Sequence, residues 1–120
     1  MTGKITSRER YLRSVPESEV QSEVQKTLTM FGWWWYHAPD NKPSAKTGRV
    51  QRITPGFPDI FAVRGTRILA VEIKRETGHT ADEQDEVLAR LQLTGKVEVW
   101  VVRPSNLDEF RHAVVPEFLR

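Results

Sequence analysis

At 120 residues the chain is about one domain long, enough for a single hydrophobic core and too short for two. Eighteen Lys and Arg against 16 Asp and Glu leave a formal charge of +2, which alone argues for no polyanionic partner, and the lack of cysteine excludes a disulfide framework and a Cys-based zinc site. No apolar stretch follows the early basic residues and no run approaches the roughly 18 apolar residues of a spanning helix, so the expectation is a cytoplasmic protein without a leader or membrane partner.

Residues 1–15 are polar and basic and read as an arm or a short helix, with the domain proper running from 16 to 120. Pro16 suits the first turn of a helix, and Val20, Val24, Leu28 and Phe31 recur at helical spacing until Gly32. Residues 33–37 (WWWYH) predict a strand, most simply one buried on both faces, with the alternative that one aromatic stacks on a base or a partner. Residues 38–58, rich in Pro, Asn, Ser and Gly, predict a long irregular loop. Residues 59–63 and 67–74 predict two strands of an antiparallel hairpin. A helix follows from Thr80-Ala81-Asp82-Glu83 to Gly95, then a strand over 96–102 and a last helix over 105–113. That order predicts an α/β domain, a mixed sheet flanked by helices.

Charge is unevenly spread. Lys42, Lys46, Arg49 and Arg52 fall in a stretch from 41 to 58 that has no acidic residue, which predicts a loop that tracks phosphates, with a merely solvated loop as the alternative. On the second hairpin strand Leu69, Val71 and Ile73 point one way and Ala70, Glu72 and Lys74 the other, with Glu72 and Lys74 about 7 Å apart. Asp59 opens the partner strand within reach of Glu72. Two such carboxylates repel unless one is protonated or a cation lies between them, and hard oxygen ligands suit Mg2+ or Mn2+. A cation held there lowers the pKa of water and offsets charge on a phosphate, with Lys74 assisting, and these parts suit phosphodiester hydrolysis. Taken singly, Asp59 reads as a turn residue and Glu72 with Lys74 as a salt-bridged strand face.

Gly56-Phe57-Pro58-Asp59 followed by Glu72-Ile73-Lys74 resembles the PD-(D/E)xK nuclease signature, and more closely its VRR-NUC group. Glu17-Ser18-Glu19-Val20-Gln21 and Thr80-Ala81-Asp82-Glu83-Gln84 extend the resemblance, which covers about residues 16–102 and is loosest over 33–55. It implies a restriction-endonuclease-like core in which Asp59 and Glu72 bind metal, the Ile73 carbonyl adds a ligand, Lys74 is catalytic and Gln84 supports the site. It further implies a homodimer acting on DNA, branched or junction DNA in particular, without an organic cofactor. A restriction-type or RNA-directed endonuclease and a non-catalytic nucleic-acid-binding module are the alternatives.

Glu17, Glu19 and Glu23 all compete for the place of the first-helix glutamate. At 100° per residue the apolar face of that helix is centred near Glu17 and nearly opposite Glu19, which selects Glu17; a capping box with Ser14 is its structural alternative. Gln84 alone reads as a solvated side chain, and His37 and His79 as ordinary polar residues, since neither has a second histidine at ligand spacing. Val114, Val115, Phe118 and Leu119, together with one face of the tryptophan strand, are candidates for a self-complementary patch, or else pack on their own core.

Overall fold

The computed structural model describes residues 3–39 and 55–119; Lys42, Lys46, Arg49 and Arg52 lie outside the described residues. Helices α1 (Ser7–Ser14) and α2 (Glu17–Met30) precede strands β1 (Trp34–His37), β2 (Ile60–Arg64) and β3 (Arg67–Ile73). Helix α3 (Asp82–Leu93), strand β4 (Val97–Val102) and helix α4 (Leu107–Val114) complete the order, with short 3-10 turns on either side of α4. The basic N-terminal segment is therefore largely helical. Thr6 caps it by accepting from the Glu9 N–H at 3.0 Å.

The strands lie in the order β1-β2-β3-β4, antiparallel except for the parallel pair β3 and β4. This is an α/β domain with a mixed sheet flanked by helices. Gly65 and Thr66 form the two-residue connection of the β2–β3 hairpin, and Gly65 takes a φ of +59°, which such turns require at their first position. The parallel strand arrives through α3, as a crossover demands.

One sheet face carries the main core. Ile60, Ala62, Leu69, Val71, Ile73 and Val102 meet Val20, Val24 and Leu28 of α2 and Phe110 and Val114 of α4, all buried. The apolar period read in 20–31 is the α2 stripe that covers this face. Each buried Val, Leu, Ile or Phe contributes roughly 1.5–3 kcal/mol. Val114 therefore packs on its own core; Phe118 and Leu119 stay 77% and 58% exposed.

The tryptophan strand is not buried on both faces. Among the described residues only one of its faces has a partner layer: Trp33 is buried and donates to the Val114 carbonyl at 2.9 Å, and Trp35 packs on the core and donates to Thr29 Oγ1 at 2.9 Å. Trp34 and Tyr36, on the other side, are exposed. Pro16 is the N-cap of α2 rather than a first-turn residue, and the Ser14 hydroxyl donates to the Tyr11 carbonyl, so no capping box joins Ser14 to Glu17. Among the described residues no helix is long and apolar enough to cross a membrane.

Candidate active site

Alternation along β3 places Glu72 on the face opposite the core, under the first turn of α3. Asp59 immediately precedes β2, and its carbonyl accepts from Ala38, which extends the β1–β2 pairing to this end of the sheet. The two acids are interlocked through the backbone: the Asp59 N–H donates to Glu72 Oε1 at 3.2 Å, and the Ile73 N–H donates to Asp59 Oδ2 at 2.7 Å. Each acid thus has its orientation fixed by the other's strand. The proximity inferred from strand register is realised.

Lys74 follows β3 on the same face as Glu72, and its Nζ lies 3.7 Å from Glu72 Oε2. Its N–H donates to the Val102 carbonyl at 3.0 Å, so the residue is held by the parallel strand after β3 itself has ended. Gln84 supplies the remaining partner. Its Oε1 accepts from the Ala81 N–H at 2.9 Å, where it caps α3, which leaves the Nε2 to donate to Glu72 Oε2. One amide thus closes a helix end and holds a buried carboxylate.

Gly56 makes this arrangement possible. Its φ of +80° favours glycine, and a Cβ there would lie 2.3 Å from the Glu83 carbonyl oxygen and 2.6 Å from its carbon. The loop entering β2 therefore presses backbone to backbone on α3, with Pro58 fully buried between that contact and Asp59. Above the acids is a depression of about 390 Å³ lined by Asp59, Lys74, Gln84, His79 and Phe57. Glu72 lies beneath it at 1% exposure.

Burial raises the proton affinity of both acids. Glu72 is pushed up to about 7, first by loss of hydration and then by the negative charge of Asp59, against the pull of Lys74. Asp59 is also raised by burial, with the Ile73 N–H, Lys74 and His37 opposing the shift. The pair therefore holds a proton around neutrality and would release it to a cation. The donor set fits a hard divalent ion: two carboxylates whose mutual repulsion it would relieve, with no thiolate beside them.

The other sequence candidates separate here. Glu17 is exposed at the start of α2 and is not among the residues lining the depression. The α1–α2 junction nevertheless lies at this end of the sheet, since Arg75, next to Lys74, donates to the Arg13 carbonyl at 3.0 Å. Glu23 is engaged by Arg111 at 2.8 Å and Lys26 at 3.7 Å, and Glu19 lines a separate depression between α1, α2 and the turn before α4. Among the described residues no group of three or more His, Asp or Glu side chains is close enough to hold a metal, so Asp59 and Glu72 stand as a pair.

Two histidines read as ordinary polar residues lie at the site. His79 lines the depression, and His37 ends β1 close enough to favour the Asp59 carboxylate. The register of β1 on β2 was the signal available for His37, the residue that directly follows the aromatic run. Against models of known families, curated proteins and solved structures, the chain has no match.

Proposed function

We propose that this chain is a Mg2+- or Mn2+-dependent nuclease that hydrolyses phosphodiester bonds in DNA, of the PD-(D/E)xK kind and similar to its VRR-NUC group. The observation that carries the reading is the interlocked pair of Asp59 and Glu72, with Lys74 beside them at one end of the central strands. Lys74 and Glu72 as a mere surface salt bridge would not require a carboxylate buried to 1%, and a pure binder of phosphate gains nothing from two acids that repel it.

Asp59 and Glu72 would hold the cation, with the Ile73 carbonyl and a first-helix glutamate, Glu17 by helical phase, completing the set that the resemblance implies. A bound divalent ion supplies Lewis acidity toward water and phosphate. Hydrolysis forms a bond from a water oxygen to phosphorus and breaks the bond to the departing sugar oxygen, which takes up a proton. Lys74 offsets the charge that gathers on the phosphate oxygens and orients the incoming water. Gln84 keeps Glu72 turned toward Asp59. The protein forms no covalent link to the substrate.

Cleavage of labelled DNA with Mg2+, with excess chelator, and by Lys74→Ala tests this. The wild-type chain should cut only with metal, and Lys74→Ala should lose about a hundred-fold or more in rate while affinity stays within a few-fold. Undiminished cleavage in chelator would overturn the metal, and no cleavage of any DNA or RNA would favour the binding module.

The same proposal extends to a homodimer that prefers branched DNA, since coordinated cuts on two strands need two sites related by a two-fold axis. The exposed Phe118 and Leu119 support such a contact. Sedimentation, and cleavage of a four-way junction beside a matched linear duplex, separates this arrangement from a monomer acting on linear DNA.

A further inference from the structure

The sheet carries an exposed aromatic face that neither the core nor the acid pair uses. Among the described residues β1 pairs only with β2, and its alternate residues Trp34 and Tyr36 are 63% and 48% exposed. Their register opposite Val63 and Phe61 puts them on the same face as Phe61 and, two residues back along β2, Asp59. The Phe61 ring lies 6.3 Å from that of Phe57, which lines the depression with Asp59 and Lys74. The aromatic pair at the rim of the site, Phe57 and Phe61, thus shares a sheet face with Tyr36 and Trp34.

Helix α3 covers the other half of this face, where Gln84 meets Glu72 and the helix packs on β4. The β1–β2 half is left open among the described residues. Two large rings held out of the core at alternate positions forgo the burial that aromatic side chains ordinarily supply.

We propose that this face is a stacking platform for unpaired nucleotides flanking the phosphate to be cut, which makes the substrate a nucleic acid with a single-stranded segment. The inference rests on the nuclease reading of the site. Side chains two apart on a strand stand about 7 Å apart, so Tyr36 is one step and Trp34 two steps along the sheet from the level of Asp59. Sheets that bind single strands present aromatics in this way and stack two or three successive bases. Bases inside a duplex have both faces occupied and offer nothing to such rings. Charge agrees with the choice of occupant: the chain joining β1 to β2 holds Lys42, Lys46, Arg49 and Arg52 and no acid from 41 to 58, which suits a polyanion that also has free aromatic faces.

Binding of the full chain to labelled oligothymidylate and to a blunt duplex, measured by anisotropy in EDTA so that nothing is cut, tests the platform. Trp34→Ala and Tyr36→Ala should each weaken oligothymidylate binding about ten-fold, with Trp34→Phe restoring most of it and duplex affinity changing less than two-fold. Both side chains are exposed, so circular dichroism should be unchanged. On the wild-type chain, an oligonucleotide carrying 5-iododeoxyuridine should photo-cross-link to Trp34 or Tyr36. Unaltered affinity in a folded double variant, or cross-links confined to other residues, would overturn the platform. So would self-association that disappears in the double variant, since it would assign the patch to a second copy. The two readings fail separately: metal-dependent cleavage with no aromatic dependence removes only the platform, whereas stacking without any cleavage supports the platform and removes the nuclease.

Discussion

Replacing Glu72 by Gln should make the metal-free protein more stable at pH 8 and abolish its stabilisation by Mg2+. The folded state raises the Glu72 carboxyl from its ordinary 4.5 to about 7. Between those values the folded chain keeps a proton that the unfolded chain has released, so stability falls as pH rises across the window and levels off above it. The difference of about 2.5 units corresponds to a loss on the order of 3 kcal/mol at pH 8 relative to pH 4.5. Asp59, also raised, adds to the loss in the same direction. A glutamine carries no charge at any pH but cannot accept from both the Asp59 N–H and the Gln84 amide, so it forfeits about one hydrogen bond, roughly 1 kcal/mol. The net gain at pH 8 is therefore on the order of 2 kcal/mol, turning into a deficit of about 1 kcal/mol near pH 4.5. Urea unfolding in EDTA, followed by tryptophan fluorescence at both pH values, reads this as a midpoint shift of about 1 M that changes sign. A wild-type chain that gains stability from pH 5 to 8, or a Glu72→Gln variant weaker than wild type throughout, would refute the buried acid pair.

Gly56→Ala forces a side chain into a left-handed backbone and against the Glu83 carbonyl, so it should cost about 1–3 kcal/mol and displace Asp59, read as a lower thermal midpoint and a fall in kcat greater than any rise in KM. Gln84→Glu can still accept from Ala81 while turning a third carboxylate on Glu72; at pH 8 it should destabilise the metal-free chain and slow cleavage, and at pH 5 the stability should largely return, whereas equal loss at both would mean the helix cap alone was damaged. Glu17→Gln should impair metal-dependent cleavage far more than Glu19→Gln, and Glu23→Gln should act on stability through Arg111 instead; equal sensitivity of Glu17 and Glu19 would show that the start of α2 does not supply the ligand.

The elements were legible where a period or a punctuating residue fixed them. Val20, Val24 and Leu28 marked α2, alternation through Leu69, Val71 and Ile73 marked β3, and Gly65 marked the hairpin, because one-sided burial leaves a repeat in the sequence. The same logic put Glu72 and Lys74 on one face and Asp59 opposite, since hairpin register is local information. What stayed hidden depended on layers distant in sequence. Four aromatics in a row read as a strand buried on both sides, but whether a layer covers each face is decided by elements distant in sequence, and among the described residues the core lies on one face of β1 alone. Gln84 read as solvated because nothing local says that α3 lies over Glu72.

Gly56 shows how that gap could narrow. A glycine two residues before a buried proline and an acid reads locally as turn punctuation, yet its close contact with the Glu83 carbonyl is what brings α3 over the carboxylate. The residue that fixes Gln84 against Glu72 thus lies 28 positions upstream of Gln84 and makes no contact with either acid through a side chain of its own. Backbone approach of this kind carries no hydrophobic period and no charge pattern, so in a single sequence it leaves only the absence of a Cβ.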